Sequence, residues 1–343
     1  MISIKGARMS EKIEFQLGLG LDVGTAFISS SRLSKDGKYV EKTVRDAYFQ
    51  IPDAGPFTKN LVKKAGVSTI EIDKKLYVLG SDALRAAAEW AGTLHRPMSN
   101  GVISSKERKF HGREVFFELL KEAVGAPVVK DENCVYSVPA KPLNADFDIA
   151  YHEDVIGGFL LSSGFKPSPM NEALAVIYAC LADANFTGIG ISLGAGMVNI
   201  AAARSSAEIL SFSVVGSGDW IDERVAQSTG ISISKATLAK EAGVDLVKPK
   251  NDIEQAIATY YRRLIKNVME NFSIQFVESP KAPEFTQAID IAISGGTSKA
   301  INFDKMFSDA LTELNLPFKV GKIIMGDPDF SVARGCLMAA QAT

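Results

Sequence analysis

The chain has 343 residues, of which 46% are hydrophobic and 23% are charged, and its net charge at pH 7 is −2. One hydrophobic core rarely serves a chain of this length, so two domains are expected. The near-neutral charge gives no electrostatic footprint for nucleic acid. Three widely spaced cysteines and three histidines indicate neither a disulfide framework nor a zinc site.

Residues 1–11 lack the apolar core of a signal peptide and are predicted to form a mobile tail. No segment approaches the roughly 18 uninterrupted apolar residues that a membrane-spanning helix needs. We therefore expect a cytoplasmic protein. A short apolar face near the N-terminus leaves attachment along the inner face of the membrane as an open alternative.

A β-hairpin is predicted over residues 15–32, where apolar runs flank a glycine turn that carries Asp22. Sliding the sequence by 170 positions places Asp22 over Ser192, and residues 186–204 then repeat the pattern. A shift of about half the chain predicts two related halves, each of which opens on a glycine-rich hairpin.

Glycine turns of this kind can bind phosphate, because converging backbone N–H groups have no Cβ to keep the anion away. A carboxylate on the same turn, such as Asp22, can hold Mg²⁺ through water. One such turn alone is more often an ordinary hairpin turn. Two turns in register across two halves suggest a clamp that closes on a polyphosphate from both sides.

Between the two hairpins the periodicity predicts alternating strands and helices. Strand structure is predicted over 39–51, around a turn at 73–75, and over 134–138. Helices are predicted over 81–90, about 113–124, about 144–161 and 171–181. The helix over 144–161 is predicted to direct four apolar side chains inward: Phe147, Ala150, Val155 and Phe159.

The second half of the chain repeats the sequence of strand, glycine turn and helix. A helix is predicted to start near 218, where Asp219 and Asp222 suit the positive end of the helix dipole. Further helices are predicted over 233–243, 251–278 and about 332–341, and a strand over 288–294. Apolar strands lead into glycine turns at 24, 194–196, 216–218 and 295–296, which argues for one shared site in a cleft. The predicted class is α/β.

Several strings carry a resemblance to a known superfamily. LDVGT at 21–25 resembles the first phosphate loop of the actin/sugar-kinase/heat-shock-chaperone ATPases, SLGAG at 192–196 resembles the second, and IAISGGTS at 291–298 resembles the adenosine loop. Finer matches point to bacterial actins of the MreB and MamK type: RPMSNGVI at 96–103, GDWIDE at 218–223, and DP at 327–328 followed by VARG at 332–335. The resemblance spans about residues 15–340.

The resemblance implies an actin-like ATPase fold, in which two related domains each combine an RNase H-like core with a smaller inserted lobe. Domain I would comprise a core of 12–36, 84–184 and 321–343 with an inserted lobe of 37–83. Domain II would comprise a core of 185–222 and 270–320 with an inserted helical lobe of 223–269. The family also implies an ATP·Mg²⁺ cleft between the domains and head-to-tail polymerisation into filaments of one or two strands.

Carried over residue by residue, the resemblance implies a set of nucleotide-binding positions: Asp22, Gly24, Thr25, Ser192, Gly194, Ala195, Gly196, Gly218, Asp219, Glu241, Gly295, Gly296 and Thr297. Asp22 would hold Mg²⁺ through water. Glu172 falls where the family keeps the acid that orients the attacking water. On its own, Glu172 would be read as an acid favoured at a helix start, and Asp219 and Asp222 allow the same interpretation.

Three positions depart from the family pattern. Ser192 stands where the second loop usually begins with Asp, Met197 where that loop usually has Thr, and Phe27 where MreB commonly has a polar residue. Backbone amides still bind phosphate, so the prediction is ATP binding with slow or weakened hydrolysis.

Two other functions stay open from the sequence: a non-hydrolysing actin-like adaptor, which Ser192 favours, and a small-molecule kinase, which the string at 96–103 disfavours. The cellular role, whether cell-shape scaffolding or positioning of an organelle or cargo through membrane or adaptor partners, is not decided by the sequence.

Overall fold

The computed structural model describes residues 14–52, 54–90, 92–104, 110–278, 285 and 287–343, so the predicted tail at 1–11 lies outside the described residues. The strands in chain order are β1 (Leu19–Val23), β2 (Phe27–Leu33), β3 (Tyr39–Arg45), β4 (Tyr48–Gln50), β5 (Thr69–Ile72), β6 (Lys75–Leu79), β7 (Met98–Ser99), β8 (Val102–Ile103), β9 (Glu132–Val138), β10 (Phe165–Asn171), β11 (Gly188–Leu193), β12 (Met197–Arg204), β13 (Ala207–Val215), β14 (Ile289–Ser294) and β15 (Val320–Met325).

The helices in chain order are α1 (Pro56–Lys64), α2 (Gly80–Glu89), α3 (Gly112–Val124), α4 (Ala150–Ser162), α5 (Glu172–Cys180), α6 (Gly218–Thr229), α7 (Ile233–Glu241), α8 (Asp252–Ser273), α9 (Phe303–Thr312) and α10 (Ser331–Ala342). A π-helical turn, Ile274–Glu278, extends α8. Within the described residues, no helix combines the length and the apolar character needed to cross a membrane.

Two five-stranded sheets have the same topology. The first half of the molecule is built on the order β10-β9-β1-β2-β3, and the second half on β15-β14-β11-β12-β13. In each sheet the hairpin strands pair antiparallel, and the first hairpin strand pairs parallel with a later strand. Asp22 lies opposite Ser29, and Ser192 lies opposite Asn199, so the shift of 170 positions holds for both strands of the hairpin. The prediction of two related halves is confirmed.

Two helices, α5 and α10, pack between the sheets, α10 against β1 and α5 against β11. Glycine is required where they cross. An added Cβ on Gly20 would lie 1.9 Å from a backbone oxygen of α10, and one on the matching Gly190 would lie 2.2 Å from a backbone oxygen of α5. The two helices also touch each other, because a Cβ on Gly335 would lie 1.9 Å from the carbonyl oxygen of Ala175.

Each sheet has its own apolar core. The larger cluster packs α6, α8 and α9 against the second sheet, and another packs α3 and α4 against the first. A small sheet of order β4-β6-β5, with α2 against it, forms a separate cluster between β3 and α3 in the chain. The mixed α/β class is therefore confirmed, and the residue boundaries of the four subdomains stay a prediction.

The helix predicted over 144–161 starts later than predicted, and its predicted inward face is only partly right, since Phe159 packs against the core of the first sheet while Ala150 is exposed. It begins at Ala150, and its buried residues are His152, Ile156 and Leu160, which are spaced four residues apart. The prediction followed apolar residues alone and left out a buried histidine. The segment before the helix instead runs beside β13, where the N–H of Leu143 donates to the carbonyl of Ser213 at 2.9 Å.

Candidate functional site

A cavity of about 330 Å³ is lined by residues from both halves. Most of the positions implied by the resemblance line it together: Asp22, Gly24, Thr25, Glu172, Ser192, Gly194, Ala195, Gly218, Glu241, Gly295, Gly296 and Thr297. The two hairpin turns approach it from opposite sheets. The predicted positions that line this one cavity are therefore separated by up to 275 positions in the chain, from Asp22 to Thr297.

Gly196 and Asp219 do not line this cavity. An added Cβ on Gly196 would lie 2.7 Å from Oγ1 of Thr25, so this glycine permits the two hairpins to approach each other. The carboxylate of Asp219 forms an ion pair with Arg96 and lines a neighbouring cavity. The helix-start interpretation of Asp219 is compatible with this position, since it is the acid in the first turn of α6.

The two glycine turns are held by the same hydrogen bond. The N–H of Gly24 donates to the carbonyl of Phe27 at 3.0 Å, and the N–H of Gly194 donates to the carbonyl of Met197 at 3.0 Å. Contacts from outside each hairpin then hold the turns in place. Oγ1 of Thr25 accepts from the N–H of Gly101 at 3.0 Å.

The adenosine-loop string continues the same wall. The hydroxyl of Thr297 donates to the carbonyl of Gly194 at 2.7 Å, which ties this loop to the second turn. Gly295 has a φ of 101°, and an added Cβ would lie 2.4 Å from the carbonyl oxygen of Leu193. Both its conformation and its close approach to β11 require glycine here.

Glu172 is the first residue of α5. The side chain of Asn171 caps the helix by accepting from the N–H groups of Ala173 and Leu174 at 2.9 and 3.1 Å. Both oxygens of the Glu172 carboxylate accept hydrogen bonds: Oε1 from the hydroxyl of Ser192 at 2.5 Å, and Oε2 from the amide of Asn199 at 2.8 Å.

Asp22 is the second acid of the cavity. Its Oδ1 accepts a hydrogen bond from the hydroxyl of Ser137 at 2.9 Å. Burial raises the pKa of Asp22. Burial, and then the negative charge of Asp22, raise the pKa of Glu172 as well. Two partly buried, neighbouring carboxyl groups therefore resist carrying two negative charges at once, and a cation beside them would favour the fully ionised pair.

Ion pairs join the two halves around the cavity. Nη2 of Arg45, on β3, lies 2.5 Å from Oε2 of Glu241, on α7. The Arg45 guanidinium also lies 4.3 Å from the centre of the Phe27 ring. Lys299 pairs with Asp329 at 2.5 Å on another side of the same cavity. The halves are thus in direct contact in this arrangement.

Sequence reasoning missed several residues of the site. Asn199 and Ser137, which hold the two acids, were not predicted, although the position of Asn199 opposite Ser192 follows from the hairpin register. The cavity is also lined by residues outside the predicted set: Ala26, Phe27, Ser29, Lys240, Gly243, Tyr261, Lys299, Ala300, Pro328, Asp329 and Val332. Strand register could have identified Asn199 and Ser29, which lie opposite Ser192 and Asp22, whereas the residues outside the hairpins depend on how the halves pack.

Solved structures with this fold are actin-like. The MamK chain in a double helical filament is 19% identical in sequence, and the match covers 95% of this chain and 98% of the MamK chain with a TM-score of 0.67. MreB5 of Spiroplasma citri bound to ADP is 15% identical over 95% and 96%, with a TM-score of 0.59. The ethanolamine utilization protein EutJ from Carboxydothermus hydrogenoformans is 13% identical over 97% and 91%, with a TM-score of 0.54.

At these identities the likeness establishes the fold, and the predicted actin-like fold is confirmed. No curated protein sequence matches the chain. One family model matches residues 17–340, which is nearly the whole length, and its description is volactin. The chain therefore belongs to the volactin family.

Proposed function

We propose that this chain is a cytoskeletal actin-like protein that binds ATP or ADP with Mg²⁺ in the cavity between its halves and polymerises head to tail. One observation carries the proposal: the phosphate-loop and adenosine-loop positions, up to 275 residues apart, line a single cavity. Two similar structures support it, a non-polymerising MamK mutant bound to AMPPNP and an MreB5 bound to ADP.

The donor set fits Mg²⁺ held through water. Among the described residues, no cluster of three or more His, Cys, Asp or Glu side chains could enclose a metal ion by itself. Mg²⁺ commonly keeps several waters and takes its other ligands from one or two carboxylates and the phosphates of the substrate. Asp22 supplies such a carboxylate beside the first turn. The ion would supply charge neutralisation for the polyphosphate.

Glu172 is the proposed water-orienting residue. Its side chain is partly buried, is held by two hydrogen bonds and lies on the same cavity wall as the second turn. A fixed carboxylate can accept a hydrogen bond from water and orient it toward the terminal phosphate. Phosphoryl transfer depends mainly on such positioning and on charge stabilisation. We propose slow hydrolysis, in keeping with the departures of Ser192 and Met197 from the pattern of the family's second loop.

An exposed apolar surface supports self-assembly. No residue of α1 is buried, and Phe57 and Leu61, one turn apart on this helix, are 81% and 57% exposed. Large contiguous apolar patches on a protein surface mark contact sites, and this pair is proposed as part of one. A contact between unlike surfaces of identical chains that does not close into a ring generates a filament.

The remaining parts of the proposal concern place and role. The domain partition of the sequence analysis is proposed to divide the chain into mobile units, with nucleotide state shifting the angle between them. We propose a cytoplasmic filament that scaffolds cell shape or positions an organelle or cargo, along the inner membrane face or through adaptor proteins. Ser192 favours a second candidate, a nucleotide-binding adaptor that does not hydrolyse ATP.

The test combines sedimentation with phosphate release, with and without ATP·Mg²⁺. We expect ATP to drive the wild-type protein into the pellet with slow phosphate release. Glu172→Gln keeps the shape of the side chain and removes its charge, so it should still pellet but release phosphate at least about tenfold more slowly. Glu114→Gln is the matched control, because Glu114 is an exposed acid in the first turn of α3, away from the cavity.

Other outcomes separate the candidates. Pelleting without phosphate release in either protein would indicate a filament that binds nucleotide but does not hydrolyse it. If nucleotide binds but nothing pellets over a broad range of salt and protein concentration, the filament proposal fails and the adaptor replaces it.

A further inference from the structure

The Glu172 carboxylate is held by two hydrogen-bond donors from the second sheet. Glu172 follows directly after β10 of the first sheet, whereas its two donors, Ser192 and Asn199, face each other on β11 and β12 of the second sheet. Both donors are almost fully buried. The carboxylate therefore has each oxygen bound to a different strand of one hairpin.

Asn199 is bound to the first half at both ends of its amide. Its Oδ1 accepts from the backbone N–H of Ala140 at 2.9 Å, while its Nδ2 donates to Glu172 at 2.8 Å. Ala140 follows β9 and precedes the segment that runs beside β13. Because a backbone N–H can only donate, the oxygen of Asn199 must face Ala140 and the nitrogen must face Glu172. The orientation of this amide is fixed by its surroundings.

We infer that Ser192 and Asn199 are positioning residues that hold the Glu172 carboxylate in a productive orientation. This inference rests on the proposed function, since it concerns the residue proposed to orient the attacking water. Each donor fixes one oxygen of the carboxylate, so losing either donor would free the group to rotate.

The same geometry assigns Ser192 a role that the family resemblance did not suggest: its hydroxyl donates to the Glu172 carboxylate. An aspartate at position 192 would offer no proton and would place a second negative charge beside Oε1 of Glu172, which already lies near Asp22. The serine hydroxyl donates where a carboxylate would repel. Ser192→Asp should therefore lower phosphate release, although it restores the residue that the second loop usually carries.

The decisive variants change a donor while keeping the shape. Asn199→Asp retains the oxygen that accepts from Ala140 and replaces the donor to Glu172 with a second acceptor. We expect its kcat to fall about tenfold to a hundredfold, and that of Ser192→Asp similarly. The affinity for AMPPNP·Mg²⁺ should change much less. Ser192→Thr keeps the hydroxyl and should stay near the wild-type rate.

Asn144→Asp is the matched control. Asn144 also joins the halves through both ends of its amide, accepting from the N–H of Val215 at 2.8 Å and donating to its carbonyl at 3.0 Å. It does not touch Glu172. Its kcat should be unchanged. A wild-type kcat in Asn199→Asp, a raised one in Ser192→Asp, or an equal loss of AMPPNP affinity and kcat would overturn the inference.

A double-mutant cycle tests the contact between Glu172 and Asn199 without any turnover. Thermal unfolding of Glu172→Ala, Asn199→Ala and the double variant should be non-additive, with the double variant losing less in Tm than the two single losses together. Additive losses would refute the contact. If the wild type releases no phosphate yet the cycle is non-additive, hydrolysis is wrong as part of the proposed function, whereas the contact between Asn199 and Glu172 is confirmed.

Discussion

His152 is a buried titratable residue that the proposed site does not use. It lies on the inward face of α4, and neither ring nitrogen has a hydrogen-bond partner among the described residues. Burial lowers its pKa to about 4. The imidazole is therefore neutral at physiological pH, and its protonation would place an unpaired charge in the core of the first half.

A lowered pKa makes this residue sensitive to acid. Between about pH 6.5 and 4 the folded state binds fewer protons at His152 than the unfolded chain, so stability is complete above that range and is lost as the pH falls through it. We expect the wild type to lose about 2 to 3 kcal/mol of unfolding free energy relative to His152→Phe across this window. Urea unfolding of both proteins at stepped pH measures the difference.

The comparison with the variant isolates the histidine. The raised pKa values of Asp22 and Glu172 act in the opposite direction, because these carboxyl groups destabilise the free protein as the pH rises, and they do so in both proteins. A difference between the two proteins that does not change with pH would contradict the prediction.

Single residues also show how far the sequence could lead. Asp22 and Gly295 could be placed in one site because they sit on glycine turns, and Glu172 because its position matches that of the family's acidic residue. The partner of Asp219 could not, since Arg96 lies 123 residues earlier in the chain and reaches it only after the halves meet. Contacts between halves depend on packing, which no local pattern encodes.

At the scale of elements, prediction succeeded where periodicity was strong and failed at sheet edges. The two hairpins, α5 and α8 follow from strand or helix periodicity. Strand β10 was not predicted, because Pro167 and Pro169 weaken its strand signal. It lies at the edge of its sheet, where a residue without an N–H is tolerated.

The crossings of strands and helices make a prediction about paired glycines. Gly20→Ala and Gly190→Ala should each destabilise the fold by about 1 to 3 kcal/mol or more, because the new methyl group would overlap backbone atoms of α10 or α5. Gly158→Ala is the control, since Gly158 lies within α4 with open space around its Cβ position. It should stabilise the protein by about 0.5 to 1 kcal/mol.

Urea unfolding of the three variants measures these changes. The prediction concerns a pair: if only one of Gly20→Ala and Gly190→Ala were destabilising, the two halves would not share the crossing that their matching positions indicate. Unchanged stability in both would show that the helices can move away at little cost.

At the scale of the whole molecule, the exposed helix α1 is the feature that bears on assembly. Lys63 and Lys64 follow its exposed apolar pair in the last turn, and no acidic residue lies in the first turn. The combined variant Phe57→Ser/Leu61→Ser should leave Tm nearly unchanged, because neither side chain is buried in the monomer. It should raise the protein concentration needed for ATP-dependent pelleting severalfold.

Leu161→Ser provides the comparison, since Leu161 is 64% exposed on a different helix, α4. Sedimentation over a concentration series measures the threshold for each protein. Equal thresholds for the wild type and the α1 variant would remove α1 from the assembly surface. A lowered Tm would instead mean that α1 serves the fold.

The matching registers of the two hairpins have a consequence for how the molecule divides its chemistry. The same backbone position carries a hydrogen-bond acceptor, Asp22, in one half and a hydrogen-bond donor, Ser192, in the other. The residues that face them on the second strand of each hairpin also differ: a hydroxyl at Ser29 and an amide at Asn199. Symmetric scaffolding thus yields an asymmetric site, in which the first hairpin supplies the Asp22 carboxylate and the second hairpin supplies two hydrogen-bond donors to the Glu172 carboxylate.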